Sequence, residues 1–177
     1  FIDYFDQTKI LREYITDQEL YDKIIKRYEN RKNNEKLFFM GITMQNHGGY
    51  TETYDNFPEN YYKVGRSYTD ANQYLSLVHE SDEAVKNLIS YFSKVDDPVE
   101  IIFFGDHQPS LNSNFYPILN GKGLTGLTED ELEKLYTVPF FIWTNYDTPE
   151  ETVDITSLDY LSTMALERAG IELPAYN

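Results

Sequence analysis

The chain has 177 residues, 41% of them hydrophobic and 16% aromatic, which is enough for one domain with its own core and argues against a disordered chain. Its 30 acidic and 15 basic residues leave a formal charge of −15, which sets aside general nucleic-acid binding and would repel a phosphorylated substrate unless a cation sat beside it. With no cysteine, there can be no disulfide, no thiolate metal site and no cysteine nucleophile.

Thr16 and Glu19 have the spacing of a capping box, and Leu20, Ile24, Ile25 and Tyr28 continue from it at helical spacing. The polar run 30–34 ends that helix. Leu37 to Thr43 reads as a strand buried on both faces, because its apolar residues do not alternate with polar ones. A tyrosine-rich loop follows from Gly48 to about Tyr68. Its Tyr50, Tyr54, Tyr61, Tyr62 and Tyr68 are suited either to line a lipid or glycan groove or to pack on one another. A long helix is expected from about Asp70 to Phe92, with Ala71, Tyr74, Leu75, Val78, Val85, Leu88, Ile89 and Phe92 as its buried stripe. His79 and Asp82 fall outside that stripe and read as surface positions.

Asp97-Pro98 breaks the helix, and 99–104 is a second buried strand. A loop covers Pro109 to Leu127, and Thr128 with Glu131 announces a short helix to about Leu135. Val138 to Thr144 is a third strand. Pro139 belongs near its start or at an edge, and Trp143 belongs in the core. A last helix runs from about Ser157 to Ala169 and stops at Gly170. The order implies an α/β domain with a mainly parallel sheet flanked by helices, whose ligands sit beyond the carboxyl ends of the strands.

Two of the three histidines stand at such ends. Asn46-His47-Gly48-Gly49 follows the first strand, and Gly105-Asp106-His107 follows the second. Aspartate and histidine suit Zn²⁺ or Mn²⁺. As a bare dipeptide, Asp106-His107 reads first as an ordinary loop with a capping aspartate; its place after an apolar strand, together with the second histidine loop, brings the metal reading level with that one.

The motifs carry a resemblance. Ile42 to Tyr50, with Thr43-Met44-Gln45-Asn46-His47-Gly48, resembles the Asn-His-Gly segment of lipoteichoic acid synthases and related phosphoglycerol transferases. Ile101 to Pro109 is similar to their Gly-Asp-His segment. Thr156 to Thr163, closing at Gly170-Ile171, looks like a sulfatase-type C-terminal segment. The three stand in family order from about Leu37 to Ile171, so the chain resembles the C-terminal part of a sulfatase-like catalytic domain of the alkaline phosphatase superfamily.

That resemblance implies an enzyme on the outer face of a bacterial cell membrane. It would move glycerol phosphate from a phosphatidylglycerol-like lipid to a glycolipid or polymer acceptor, as in lipoteichoic acid synthesis. It also implies Asp106 and His107 as metal ligands, for Mn²⁺ or another divalent ion such as Zn²⁺ or Mg²⁺, and His47 as a contact of the substrate phosphate. The family's remaining metal carboxylate and its nucleophilic threonine have no counterpart in residues 1–177, nor do the tryptophan and arginine that precede its Asn-His-Gly motif. No apolar run approaches the ~20 residues that span a bilayer, and the sequence begins at Phe1 without a signal peptide. The chain therefore reads as an excised part of a longer protein, inactive alone, bound to the membrane through segments outside it, and able to oligomerise where excision exposes apolar surface. The alternatives are a sulfatase or phosphodiesterase of the same superfamily, and a noncatalytic cell-surface binding module.

Overall fold

In the computed structural model, residues 4–57 and 68–173 are described. They divide into two compact units. One comprises Phe1–Ser90 with Pro109–Lys134, the other Tyr91–Gln108 with Leu135–Asn177.

The first unit opens on a two-stranded hairpin, β1 (Ile10–Leu11) and β2 (Tyr14–Ile15), joined through Arg12 at φ +54°. Thr16 links the hairpin to α1 (Asp17–Glu29). Its N–H donates to the Lys9 carbonyl at 3.0 Å, and its hydroxyl accepts the Glu19 N–H at 3.1 Å. Only half of the expected capping box forms. The Thr16 N–H is already used in the hairpin, so the Glu19 carboxylate accepts the Asp6 N–H at 2.9 Å and pairs with Lys23.

The run from Leu37 to Thr43, expected as a buried strand, forms no regular element and has no ladder partner among the described residues. One side of it lies open, with Phe38 89%, Met40 76% and Ile42 72% exposed. A strand needs a neighbour to take its N–H and C=O groups, and composition alone does not supply one. Its other side meets α1, where a Cβ on Gly41 would stand 3.3 Å from a Leu20 methyl carbon.

The long helix α2 (Thr69–Phe92) forms where expected. Its buried face is rotated from the apolar stripe, however. Gln73, Ser76 and Ser81 are buried along with Ala71, Leu77, Ala84, Val85, Leu88 and Phe92, while Val78 is exposed. Ser81 bonds Gln45 and Asn46 of the loop that carries His47, and Gln73 bonds Arg12 and the Glu52 carbonyl, so hydrogen bonding helps set the helix rotation there. His79 is half-buried and Asp82 exposed. Tyr50, Phe57 and Leu77 form a small core, with Leu11, Tyr54, Tyr74 and Leu111 packed around it. Tyr50 and Tyr54 are thus core residues rather than groove lining; Tyr61 and Tyr62 lie outside the described residues. Short helices α3 (Tyr116–Asn120) and α4 (Glu129–Glu133) complete the unit. The first was not expected, and Pro117 sits in its opening turn. The second has the full capping box of Thr128 and Glu131.

In the second unit, β3 (Glu100–Phe104) pairs with β4 (Phe140–Thr144) in the register Glu100↔Thr144 to Phe104↔Phe140. The pairing is antiparallel, which corrects the expectation of a mainly parallel sheet for the strands described. The chain returns from 105–139 to the same strand ends, and the Gly105 N–H donates to the Pro139 carbonyl at 3.1 Å. Apolar runs report burial and not direction, so the sequence did not reveal this. Pro139 stands just before β4, as its missing donor requires. Trp143 is half-buried rather than core. A 3₁₀ turn (Leu158–Tyr160) leads into α5 (Leu161–Arg168), which ends at Gly170 in the left-handed region at φ +68°. No helix among the described residues is long and apolar enough to cross a membrane.

Candidate functional site

Each of the two histidine loops is fixed within its own unit. In the first, residues 44–47 turn sharply, with the His47 N–H donating to the Met44 carbonyl at 3.0 Å. Beneath the turn lies a buried polar network. The Gln45 side chain accepts the Asp17 N–H at 3.1 Å and donates to the Ser81 hydroxyl at 3.2 Å. Asn46 also donates to Ser81, and Ser81 donates to the Asp17 carboxylate. Burial pushes the Asp17 carboxyl up from its ordinary value, against the lowering effect of the Ser81 and Gln45 bonds.

Arg12 holds the loop from below. One terminal nitrogen donates to the carbonyls of Gln45 at 2.8 Å and His47 at 2.7 Å. The other reaches the Gln73 side-chain oxygen at 3.1 Å. The guanidinium is buried and lies 5.5 Å from the ring centroids of both Tyr14 and Tyr50. The Tyr50 hydroxyl donates to the Asn46 carbonyl at 2.7 Å. His47 itself is exposed, and its Nδ1 stands 3.0 Å from the Tyr14 hydroxyl.

In the second unit, Asp106 and His107 follow the last residues of β3. A Cβ on Gly105 would come within 3.1 Å of Val138 Cβ, so a larger residue there would require Val138 to give way by a few tenths of an ångström. The Asp106 carboxylate accepts the His107 N–H at 2.9 Å. The His107 Nδ1 is 2.9 Å from the Gln108 carbonyl, and Gln108 in turn donates to the Thr137 carbonyl. Both side chains are open, Asp106 85% and His107 74% exposed, and Asp106 Oδ2 is 3.5 Å from His107 Nε2.

This pair fits part of a divalent-metal shell. A carbonyl can only accept, so the Gln108 contact favours the proton on Nδ1; in the neutral ring Nε2 is then the nitrogen that can share a cation with Asp106 Oδ2. Two donors bound at about 2.1 Å to one ion stand about 3 Å apart, close to the spacing found. No group of three or more such side chains occurs among the described residues. Calorimetric titration of the 177-residue chain with Mn²⁺ is therefore expected to show no site as tight as micromolar, because water must fill the remaining positions. A one-to-one micromolar site would mean that further ligands lie within the chain.

Sequence reasoning found His47, Asp106 and His107 but missed Arg12, Tyr14, Asp17, Gln73 and Ser81, which build the His47 loop. None lies in a motif, and their role arises from separations of 28 to 64 residues.

The comparisons with known proteins agree with the motifs. A family model described as Sulfatase matches residues 2–171. A putative cyclic beta-1,2-glucan modification protein of Rhizobium meliloti is 28% identical over 171 residues, 92% of this chain and 26% of its own length. The capsular polysaccharide biosynthesis protein RkpI of the same organism is 33% identical over 100 residues, 56% of this chain and 17% of its own. Among solved structures, the Streptococcus pyogenes phosphoglycerol transferase GacH, in complex with sn-glycerol-1-phosphate, matches with a TM-score of 0.70 at 20% identity. That match covers 97% of this chain and 41% of GacH. The chain thus spans less than half the length of each of these relatives.

Proposed function

Because the chain belongs to the sulfatase family, we propose that it is the C-terminal part of the catalytic domain of a metal-dependent phosphoglycerol transferase acting on a cell-surface glycan. In this reading the whole protein works at the outer face of a bacterial membrane and takes glycerol phosphate from a phosphatidylglycerol-like lipid. The relatives named for glucan modification and capsular polysaccharide synthesis support a glycan acceptor, and the glycerol phosphate bound by GacH supports the transferred group. The observation that carries the proposal is the exposed Asp106–His107 pair, with His107 Nδ1 tied to the Gln108 carbonyl and Nε2 left for a metal.

Asp106 and His107 would hold the ion, Mn²⁺ or another divalent cation. When bound, such an ion offsets negative charge at a phosphoryl group in a chain whose own charge is −15. His47 donates a hydrogen bond to a non-bridging phosphate oxygen, where negative charge grows as the bond to the leaving group lengthens. The Asp17–Gln45–Ser81 network and Arg12 keep its backbone rigid, so little reorganisation is needed when substrate arrives. The threonine nucleophile belongs to the part of the domain that the resemblance places outside these residues.

The test uses the full-length protein with Mn²⁺ and phosphatidylglycerol vesicles, reading diacylglycerol release. Metal-dependent release is expected. Release of sulfate from an aryl sulfate, with the lipid untouched, would overturn the proposal in favour of a sulfatase. No turnover of either substrate would favour a binding module. Replacing His47 with Ala is expected to lower turnover about 10²-fold, the scale of one lost charge-stabilising donor. Its metal content should match the unsubstituted protein; loss of the metal would show that His47 is a ligand instead.

A further inference from the structure

The two histidine loops, one in each unit, present opposite partners at Nδ1. For His107 it is a backbone carbonyl, which can only accept. For His47 it is the Tyr14 hydroxyl at 3.0 Å, which can donate. The two rings are tilted by 50° with centroids 5.5 Å apart, so they meet through this polar contact and are not stacked. A neutral phenol is a better donor than acceptor, and an unprotonated imidazole nitrogen is a strong acceptor, so the favoured bond runs from Tyr14 O–H to Nδ1. The proton of neutral His47 must then sit on Nε2.

We propose that Tyr14 is a positioning residue that fixes His47 as an Nε2–H donor, and that the hairpin carrying Tyr14 and Arg12 serves as its mount. Arg12 holds the His47 backbone through its carbonyl, and Tyr14 holds the ring. Together they determine which nitrogen can donate and where the ring stands. Nothing in the Asn-His-Gly motif encodes this, since the mount lies 33 and 35 residues upstream. In the neutral rings the contacts thereby suit one histidine to an anion and the other to a cation: Nε2 carries a proton in His47 and a lone pair in His107.

The inference rests on the reading of His47 as a phosphate donor, but its tautomer can be tested apart from any activity. The chain has three histidines, so long-range ¹H–¹⁵N correlation spectra of the 177-residue chain are assignable with one substitution per residue. Neutral His47 is expected as the Nε2–H form and neutral His107 as the Nδ1–H form. Tyr14→Phe, which removes only the hydroxyl, should let the Nδ1–H form of His47 grow while His107 is unchanged. A proton on Nδ1 of His47 in the unsubstituted chain, or a tautomer ratio indifferent to Tyr14→Phe, overturns the proposal.

In the full-length protein, Tyr14→Phe should lower kcat about tenfold, the scale on which one neutral hydrogen bond acts, with little change in KM. In a His47→Ala background the same substitution should cost nothing more. An additive loss would mean that Tyr14 acts on stability alone. If the protein releases no diacylglycerol at all, the transferase reading fails while the spectra still decide the role of Tyr14.

Discussion

Replacing Asp106 with Ala in the full-length protein is expected to abolish metal-dependent turnover, and His107→Ala to do the same. A bound divalent ion provides several kcal/mol of charge stabilisation to phosphoryl transfer, so its loss corresponds to about three or more orders of magnitude in rate. Folding should hardly change. Both side chains are mostly exposed, and the contacts of the Asp106 carboxylate are local, to the N–H and ring of the next residue. Substitutions at such positions shift stability by about 0.5 kcal/mol or less. The combination is diagnostic: metal content falls, activity is lost and the melting temperature stays. Retention of both metal and activity in Asp106→Ala would remove this pair from the site.

The largest effect on stability is expected at Arg12. Its removal leaves the carbonyls of Gln45 and His47 and the Gln73 side-chain oxygen without the donor they share in a buried place. Each buried acceptor so orphaned costs about 1–3 kcal/mol, offset in part by relief from burying the guanidinium. A net loss of about 3 kcal/mol is expected for Arg12→Ala, read as a lower urea midpoint of the chain. Arg12→Lys should recover part of it, since one ammonium cannot serve both branches of the fork. Arg12→Gly should be less harmful than Arg12→Ala by about 1 kcal/mol, because φ is +54° and alanine is strained there. Equal losses for Gly and Ala would argue against that turn geometry. No loss in any of the three would show that the loop stands without its buried cation.

Local chemistry was legible from the residues. Thr128 with Glu131, Asp97-Pro98 and Gly170 mark helix boundaries through bonds and dihedrals that span only a few positions, and the helices stop and start where they say. The motifs at His47 and Asp106-His107 identified the family because each is contiguous. The sulfatase-family match over residues 2–171 and the fold of GacH agree with that reading and with an α/β class.

What depends on partners far along the chain was not legible. The apolar run from Leu37 to Thr43 has the composition of a buried strand, yet strand formation needs a second backbone, and none of the described residues supplies one. The antiparallel pairing of β3 with β4 was hidden because a side chain's burial does not encode the direction of its neighbour. The buried face of α2 turned to include Gln73 and Ser81, where hydrogen bonds to Arg12 and Gln45, far along the chain, outweigh the apolar stripe. The sequence by itself determined the capped helices, the two histidine motifs and the family. Only the tertiary structure decided what stands at Nδ1 of each histidine, because a hydroxyl 33 residues upstream and a carbonyl one residue downstream assign the proton in opposite ways.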